Sequence, residues 1–250
     1  MKYVCELIQF CCKKSIYNCY KLIKKKGLSK MKKIIAIIFS ILFLNNSANA
    51  EIGVNIGVSG QLGIFAASAS ETTGGLAAHK DNGSEHGAAG WGSVFIEKTL
   101  GDRLLVGIDY VPSALATDTT ETSKQDMRTD DSSAVSPSTN KVQIDFEDLT
   151  TYYVGINLSD NFYAKAGIVT VDVITNESLG TGSTYGNTDL DGTMLGVGYN
   201  NSFDNGAFVR VETNYMDFDG ATVTSSANSN KIELSQLHGV SGKISIGKSF

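Results

Sequence analysis

The chain has 250 residues and carries 21 Lys and Arg against 26 Asp and Glu, but these charges are unevenly distributed. Ten of the basic residues and one of the acidic residues precede Glu51, which leaves 11 against 25 in the remainder, a formal charge of −14. So acidic a polypeptide argues against nucleic acid and anionic lipid as partners. Two prolines, 26 glycines and the absence of a long 3.6-residue periodicity after Leu44 indicate an all-β protein.

The first 50 residues are not expected to belong to the folded domain. Residues 31–50 combine a basic start at Met31, an eleven-residue apolar stretch from Ile34 to Leu44, and an A-x-A cleavage site ending at Ala50. That stretch is shorter than the ~20 residues of a membrane-spanning helix, so a secretory signal peptide is predicted. Residues 1–30 are interpreted as a start assigned too early or an extended n-region. They hold all four cysteines, but paired C-x-x-C units are missing, which disfavours a metal site.

Residues 51–250 are predicted to form one β domain. Eight segments alternate with a two-residue period: the first begins between Val54 and Ser59 and ends near 69, and the others span about 87–100, 103–116, 141–158, 162–175, 190–203, 207–218 and 231–250. Short turns near 101, 160 and 205 alternate with long polar connections near 78, 128, 182 and 225. The segment 117–140 is expected to be a solvated loop. This rhythm predicts an eight-stranded antiparallel up-and-down transmembrane barrel with its short turns on the periplasmic side.

The last segment, Gly239 to Phe250, shows the two faces most clearly. Val240, Ile244, Ile246 and Phe250 share one parity, whereas the other parity is small and polar and includes Lys243. In this pattern and its terminal Phe250 the sequence resembles the small bacterial outer-membrane β-barrels, the class of the OmpA transmembrane domain, OmpX and the opacity proteins. The resemblance implies a Gram-negative outer membrane, contact with its lipid and lipopolysaccharide, and an assembly signal at Phe250 for the barrel-assembly machinery.

A soluble lipocalin-like barrel also has eight strands and is the alternative fold. It would place its charges outward, whereas here the strand charges lie opposite the wide apolar face, on a parity shared with Gly, Ser and Asn. Aromatic residues predict two interfacial girdles. The members near the short turns are Phe162, Tyr163, Phe203, Phe208 and Phe250, and those near the long loops are Tyr110, Phe146, Tyr215 and Phe218.

Six charged residues are predicted to point into the lumen: Glu97, Asp109, Lys165, Arg210, Glu212 and Lys243. Three are acidic and three are basic, and an isolated charge inside a narrow barrel is costly. We therefore expect them to pair into an ion network that plugs the lumen. The alternative is a gated, narrow porin in which the pairs exchange partners.

Catalytic and metal sites are weakly supported. His79 and His86 lie in or beside the first long loop, and His238 lies in the last strand with Ser235 and Ser241 near it. Ser241 has the opposite parity to His238, so a lipid-modifying Ser and His site is disfavoured. The loop acids lack the spacing of a calcium loop, and the Gly-rich pieces lack the strand-to-helix context of a phosphate site.

The predicted role is therefore structural or surface-interacting, without enzymatic activity or a cofactor. A monomer is expected, with long acidic loops that offer a surface to an extracellular ligand. A narrow porin for small solutes is the alternative, and a lipid-A-modifying enzyme is the less favoured third hypothesis. No periplasmic domain is expected after the last strand.

Overall fold

The computed structural model describes residues 53–72, 80–128, 131–226 and 230–250, so the predicted segments 1–30 and 31–50, and His79, lie outside the described residues. Within those ranges no helix is long and apolar enough to cross a membrane. The described strands are β1 (Val54–Thr72), β2 (Lys80–Leu100), β3 (Leu104–Tyr110), β4 (Leu115–Ala116), β5 (Thr120–Arg128), β6 (Asp131–Asn157), β7 (Phe162–Leu179), β8 (Thr188–Ser202), β9 (Ala207–Phe218), β10 (Ala221–Thr224) and β11 (Lys231–Ser249).

Eight of these strands form a closed ring. Their order is β1, β2, β3, β6, β7, β8, β9 and β11, and β11 pairs back with β1. The eight pairings that make the ring are antiparallel, so the predicted eight-stranded barrel is confirmed. The other three strands are additions outside the ring, since β4 and β5 pair with β6, and β10 pairs with β11.

The strand register fixes the stagger of the barrel. Aligned partners followed once around the ring from Ile64 lead back to β1 at Val54, ten residues along the strand. Strands of a closed barrel with such a stagger tilt by about 35–45° from its axis. An eight-stranded barrel of this kind has an interior just wide enough for its own side chains, so the lumen is a packed core.

Two of the three short turns are closed by a glycine with a left-handed backbone. Gly101 and Gly206 have φ values of 66° and 81°, a region that residues with a Cβ rarely adopt. The amide of Gly206 also donates to the carbonyl of Phe203 at 2.9 Å. These turns therefore lie at the ends predicted from the sequence, and by the convention of the class they mark the periplasmic side.

At the long-loop end several strands extend further than predicted, whereas β3 ends at Tyr110, before the predicted bound near 116. β2 begins at Lys80 and β6 at Asp131, and the expectation that 117–140 is a loop is wrong, because β5 and the first part of β6 form a hairpin. Backbone ladders need no buried apolar face, and polar cross-strand pairs also stabilise them. The hydroxyls of Ser123 and Thr139, for example, lie 3.0 Å apart on this hairpin. Low hydrophobicity excluded a core there, but it did not exclude strands.

The outer surface of the ring carries a band of large apolar side chains, which we call the apolar belt. Its exposed members are Ile56, Val58, Leu62, Ile64, Val94, Ile96, Leu104, Val154, Ile156, Leu195, Val197, Val209, Val211, Val240, Ile244 and Ile246. A soluble barrel would bury such residues inside. In a closed ring the backbone N–H and C=O groups of each strand pair with neighbouring strands. The apolar belt can then lie against lipid chains, as a membrane-embedded barrel requires.

Candidate functional site in the barrel lumen

The polar layer of the lumen nearest the short turns is centred on Glu97 of β2. Its Oε1 lies 2.6 Å from Nη1 of Arg210 and accepts a hydrogen bond of 2.8 Å from the hydroxyl of Tyr153. The other oxygen, Oε2, accepts from Nδ2 of Asn55 at 3.0 Å. Glu97 is 2% exposed, so this carboxylate is buried with both of its oxygens satisfied. Such pairing is the condition under which a buried charge is tolerated.

Aromatic rings surround the guanidinium of Arg210 near the periplasmic turns. Its Cζ lies 4.4 Å from the ring centroid of Phe208, 5.5 Å from that of Tyr163 and 5.7 Å from that of Phe95. Within ~6 Å, a cation is attracted to an aromatic face, more strongly when both are desolvated. We call Arg210 and these three rings the aromatic plate. It fills the lumen beside the Glu97 carboxylate at the periplasmic side.

The other four predicted lumenal charges form a second layer, the upper ion group. Lys165 Nζ lies 2.6 Å from Glu212 Oε1, and Lys243 Nζ lies 3.6 Å from Glu212 Oε2. Lys243 also forms a short ion pair with Asp109. Two cations therefore share one carboxylate, and one of them has a second anionic partner.

All six predicted lumenal charges are thus buried and meet in the interior, each no more than 6% exposed. The two layers contain three cations and three anions, so their formal charge is zero. Removing one partner would leave an uncompensated buried charge, which typically costs 3–5 kcal/mol. Replacing a pair with apolar groups of similar size costs far less.

Above the ions, the lumen is more apolar than the sequence led us to expect. An upper apolar layer consists of Trp91, Val111, Leu149, Val169, Val171, Val173, Leu190, Met194, Met216 and Phe218, all buried. The parity pattern predicts inward faces of charged residues together with Gly, Ser and Asn. That description applies only to the periplasmic half, because the strands change the character of their inward residues toward the long loops.

A narrow cavity lies between the upper ion group and the upper apolar layer. Its apolar side includes Trp91, Met194 and Met216, and its polar side includes Gln61 and Asn214, with Lys165 and Lys243 also lining it. The Asn214 side chain is 4% exposed, and its Oδ1 has no hydrogen-bond partner in the described protein. No group of three or more His, Cys, Asp or Glu residues in the described ranges is placed to hold a metal ion.

The aromatic girdles are only partly as predicted. Exposed rings are found at Phe162, Phe203 and Phe250 near the short turns, and at Tyr110 and Tyr215 near the long loops. In contrast, Tyr163, Phe208 and Phe218 are buried. Position along a strand predicts only the height of a ring in the membrane. Parity decides whether a ring faces lipid or the lumen, and these three have inward parity.

The histidine region is not assembled as a catalytic site. The ring of His238 has its centroid 6.5 Å from that of Tyr215, and Ser235 donates its hydroxyl to the carbonyl of Ser68 at 3.0 Å. Ser241 is buried, 1% exposed, on the opposite face of β11. At the barrel seam, the amide of Phe250 donates to the carbonyl of Val54 at 2.9 Å, while its ring is 72% exposed.

Sequence reasoning missed several residues that complete the lumenal layers. Asn55 and Tyr153 bind Glu97, and Phe95 and Phe208 surround Arg210. The available signal was parity, since Phe95 alternates in step with Glu97, and Phe208 in step with Arg210. Which strands face each other across the lumen could not be inferred without the register.

The closed ring, the apolar belt and the buried, paired charges define a transmembrane β-barrel of the bacterial outer-membrane class. Neither the known protein-family models nor the curated protein sequences gave a match. Among solved structures, the outer-membrane protease OmpT from Escherichia coli is 11% identical, with 83% of this chain and 99% of that chain covered and a TM-score of 0.43. The outer-membrane protein OprG from Pseudomonas aeruginosa is 15% identical, with 78% and 96% covered and a TM-score of 0.44.

The attachment invasion locus protein Ail of Yersinia pestis, solved with the heparin analogue sucrose octasulfate, is 9% identical. That alignment covers 76% of this chain and 99% of Ail, with a TM-score of 0.31. Similarities at this level do not transfer a function.

Proposed function

We propose that the protein is a structural or surface-interaction component of the outer membrane, and that its lumen is plugged and does not conduct. The observation that carries this proposal is the pairing of Arg210 with Glu97 at 2.6 Å, beneath the upper ion group and within the aromatic plate. An eight-stranded interior leaves little room beyond its own side chains. Solutes would have to break at least two layers of buried ion pairs to pass.

The extracellular side supplies the interaction surface in this proposal. β1 and β2 pair as far as Thr72 and Lys80, and β5 and β6 form a second long hairpin. The chain from Glu51 onward is strongly acidic, so an extracellular ligand would be met by a negative surface. We propose that the barrel acts as a monomer, without nucleic acid or a cofactor, in contact with membrane lipid and lipopolysaccharide.

Single-channel recording of the purified protein in planar bilayers tests the plug. We expect no discrete openings for the unaltered protein over a wide voltage range. Arg210→Ala would remove the cation that joins Glu97 to the aromatic plate, and we expect it to admit openings. Frequent openings of the unaltered protein that are lost or enlarged in Arg210→Ala would contradict the plug.

One feature favours the narrow porin as a second candidate. Lys243 forms an ion pair with Asp109 and also lies 3.6 Å from Glu212, so it has two anionic partners within reach. If Lys243 moved from Asp109 to Glu212, the lumen could open while the lysine kept an anionic partner. In that case Asp109→Asn would change the open probability of the unaltered channel, whereas a plug would show no openings to modify.

We further propose that the protein is not a lipid-modifying enzyme. His238 packs near Tyr215 on one face of β11, while Ser241 lies on the other face. A nucleophile and its base must be within hydrogen-bond reach. Mass analysis of lipid A from cells with and without the protein checks this, and a mass change that disappears in His238→Ala would overturn it.

A further inference from the structure

Lys243, Asp109 and Glu212 bring one amine and two carboxylates together inside the lumen. Lys243 Nζ pairs with Asp109 Oδ2 and lies 3.6 Å from Glu212 Oε2. Lys243 on β11 is aligned with Glu212 on β9, whereas Asp109 reaches the amine from β3. The three side chains are between 3% and 8% exposed. This group is therefore held in place by three strands and shielded from solvent.

The two carboxylates of this group differ in their other partners. Glu212 Oε1 lies 2.6 Å from Lys165 Nζ, so Glu212 keeps a cation even when Lys243 is neutral. Asp109 pairs only with Lys243 among the described residues. A buried ion pair and the corresponding neutral pair differ by one proton, and burial disfavours the charged forms. Transfer of that proton from Lys243 to Asp109 produces a free amine, which is a nucleophile, beside a carboxylic acid.

The surroundings of the amine and the acid favour their condensation. Because the fold holds both groups in contact, a bimolecular step becomes unimolecular. The cavity that Lys243 and Asp109 line has a volume of about 20 Å³, room for about one water molecule. Amide formation releases one water molecule, which this cavity can receive. The upper apolar layer and the aromatic plate exclude the bulk water that would hydrolyse the product.

We propose that Lys243 and Asp109 form an intramolecular isopeptide bond after the barrel has folded, with Glu212 as the catalytic base and acid. The neutral Nζ attacks Cγ of the protonated Asp109 carboxyl, and a proton passes from Nζ to Glu212 as the N–C bond forms. Glu212 then returns this proton to the leaving hydroxyl, the C–O bond breaks, and one water molecule departs. No oxidant or co-reactant is consumed. Lys165 lines the same cavity, so a cation stays near the oxyanion of the intermediate.

The isopeptide bond supplies a covalent cross-link that cysteines cannot provide. All four cysteines precede Met31, so the chain from Glu51 onward cannot form a disulfide. The bond joins β3 to β11 and closes a loop between residues 134 positions apart. Cross-links that close long loops restrict the unfolded chain most. The bond goes beyond the proposed structural role and does not depend on it, and it excludes the partner exchange that the narrow porin requires.

Mass spectrometry of the mature protein isolated from outer membranes tests the bond. We expect an intact mass lower than that of the sequence by one water molecule, and a protease digest that yields a branched peptide containing Asp109 and Lys243. Protein kept unfolded in urea should have the full mass until it is refolded into lipid vesicles. Absence of the branched peptide from the folded protein would overturn the proposal, and so would a branch that joins Lys165 to Glu212.

Two single variants test the bond-forming groups. Lys243→Arg keeps the cation, but a guanidinium is always protonated and is therefore a poor nucleophile, so this variant should have the full mass. Asp109→Asn should still form the bond, with loss of one ammonia molecule in place of water. A branched peptide at position 243 in Lys243→Arg would contradict the assignment of the nucleophile.

A matched pair of double variants tests the role of Glu212. Lys165→Met with Glu212→Gln removes one buried ion pair and leaves the bond-forming pair in place, so we expect a folded barrel with the full mass. Glu97→Gln with Arg210→Met removes the other buried pair and should retain the bond. Heat-modifiable gel migration verifies that each variant is folded. Equal cross-linking in the two double variants would overturn the catalytic role of Glu212.

Discussion

Arg210 and Glu97 meet across the lumen, with Nη1 of the guanidinium 2.6 Å from Oε1 of the carboxylate. Their strands, β9 and β2, are separated in the ring by β11 and β1. The contact therefore spans the interior and ties together opposite parts of the wall. It is also the point where the aromatic plate and the polar layers join.

Arg210→Ala should lower the free energy of unfolding by about 3–5 kcal/mol, because Glu97 would stay buried without its cation. Urea unfolding in lipid vesicles, followed by gel migration, measures the change. The matched control is Glu121→Gln in the exposed pair with Lys141, whose atoms lie 3.0 Å apart. Exposed pairs contribute about 0–1 kcal/mol, so comparable losses for the two variants would contradict the role of burial.

The double variant Glu97→Gln with Arg210→Met should be more stable than Arg210→Ala. It removes both charges while keeping most of the side-chain volume, so no unpaired ion remains in the lumen. The single variants Glu97→Gln and Arg210→Met complete the double-mutant cycle. Their free energies of unfolding, with that of the double variant, yield the coupling free energy, expected to be at least about 1 kcal/mol for residues in contact. Additive losses would show that the two side chains act independently.

Ile244→Arg tests the apolar belt. Ile244 is 62% exposed, so in a soluble protein this substitution would be nearly neutral. On a lipid-facing surface near mid-membrane, it should cost about 2–4 kcal/mol. Gln236→Arg, at an exposed position nearer the loop end of the same strand, is the control and should have little effect. Equal stability of the two variants in vesicles would contradict the assignment of the belt.

Two glycines of β1 test inward packing. A Cβ at Gly57 would lie 2.5 Å from the carbonyl oxygen of Ile246 and would collide with the ring of Phe95, whereas a Cβ at Gly60 would meet nothing within 4 Å. Gly57→Ala should therefore cost about 1–3 kcal/mol through overpacking. Gly60→Ala should be neutral or slightly stabilising. The order of the two unfolding midpoints checks this. A reversed order would contradict the assignment of Gly57 to the lumenal face of β1 and of Gly60 to the outer face.

Asp172 gives a pH dependence at the extracellular end, beyond the apolar belt. Burial, followed by the charges of Asp189 and Asp148, raises the pKa of Asp172 from its usual value of 3.8. A raised carboxyl pKa in the folded state means that its contribution to stability is present at low pH and is lost as pH rises through that pKa. Amide hydrogen exchange in β7 and β8 around this position, corrected for the pH dependence of the intrinsic exchange rates, should show more protection as pH falls from 7 toward 4.

Asp172→Asn should weaken this pH response while increasing protection at pH 7, because the amide removes the repulsion with Asp189, its aligned partner on β8. The matched control is Asp160→Asn in a periplasmic turn, which should leave the exchange of these strands unchanged. An unaltered pH response in Asp172→Asn would assign the effect to other carboxylates.

Much of the fold could be predicted because a β-strand alternates its side chains with a period of two. Ile244 and Lys243 were assigned to opposite faces from sequence alone, and their exposures of 62% and 3% follow that assignment. Strand extents were less predictable. At 117–140 the polar composition predicts a loop, whereas the structure has strands there, because hydrogen bonds between backbones do not require apolar side chains.

The candidate site was predictable only in part. Parity identified the inward charges, but the identity of each partner depends on the ten-residue stagger, which is a property of the closed ring. Position along the strand predicts an interfacial location for the rings of Tyr163 and Phe208, but their parity turns both into the lumen, where they are buried. The end of the ladder between β2 and β3, at the pair Val94 and Tyr110, could not be predicted either, since one sequence does not show where neighbouring strands separate.

The sequence by itself determined a two-faced β chain, its short turns and the residues that face inward, because these follow from local geometry and from periodicity. Only the tertiary structure decided that Glu97 meets Arg210, that the upper lumen is apolar, and that β2 separates from the chain after β3. Those features arise from closure of the ring, which brings together residues more than a hundred positions apart, as the pair Arg210 and Glu97 shows. Closure is a constraint on all eight strands at once, so it is not encoded in any one of them.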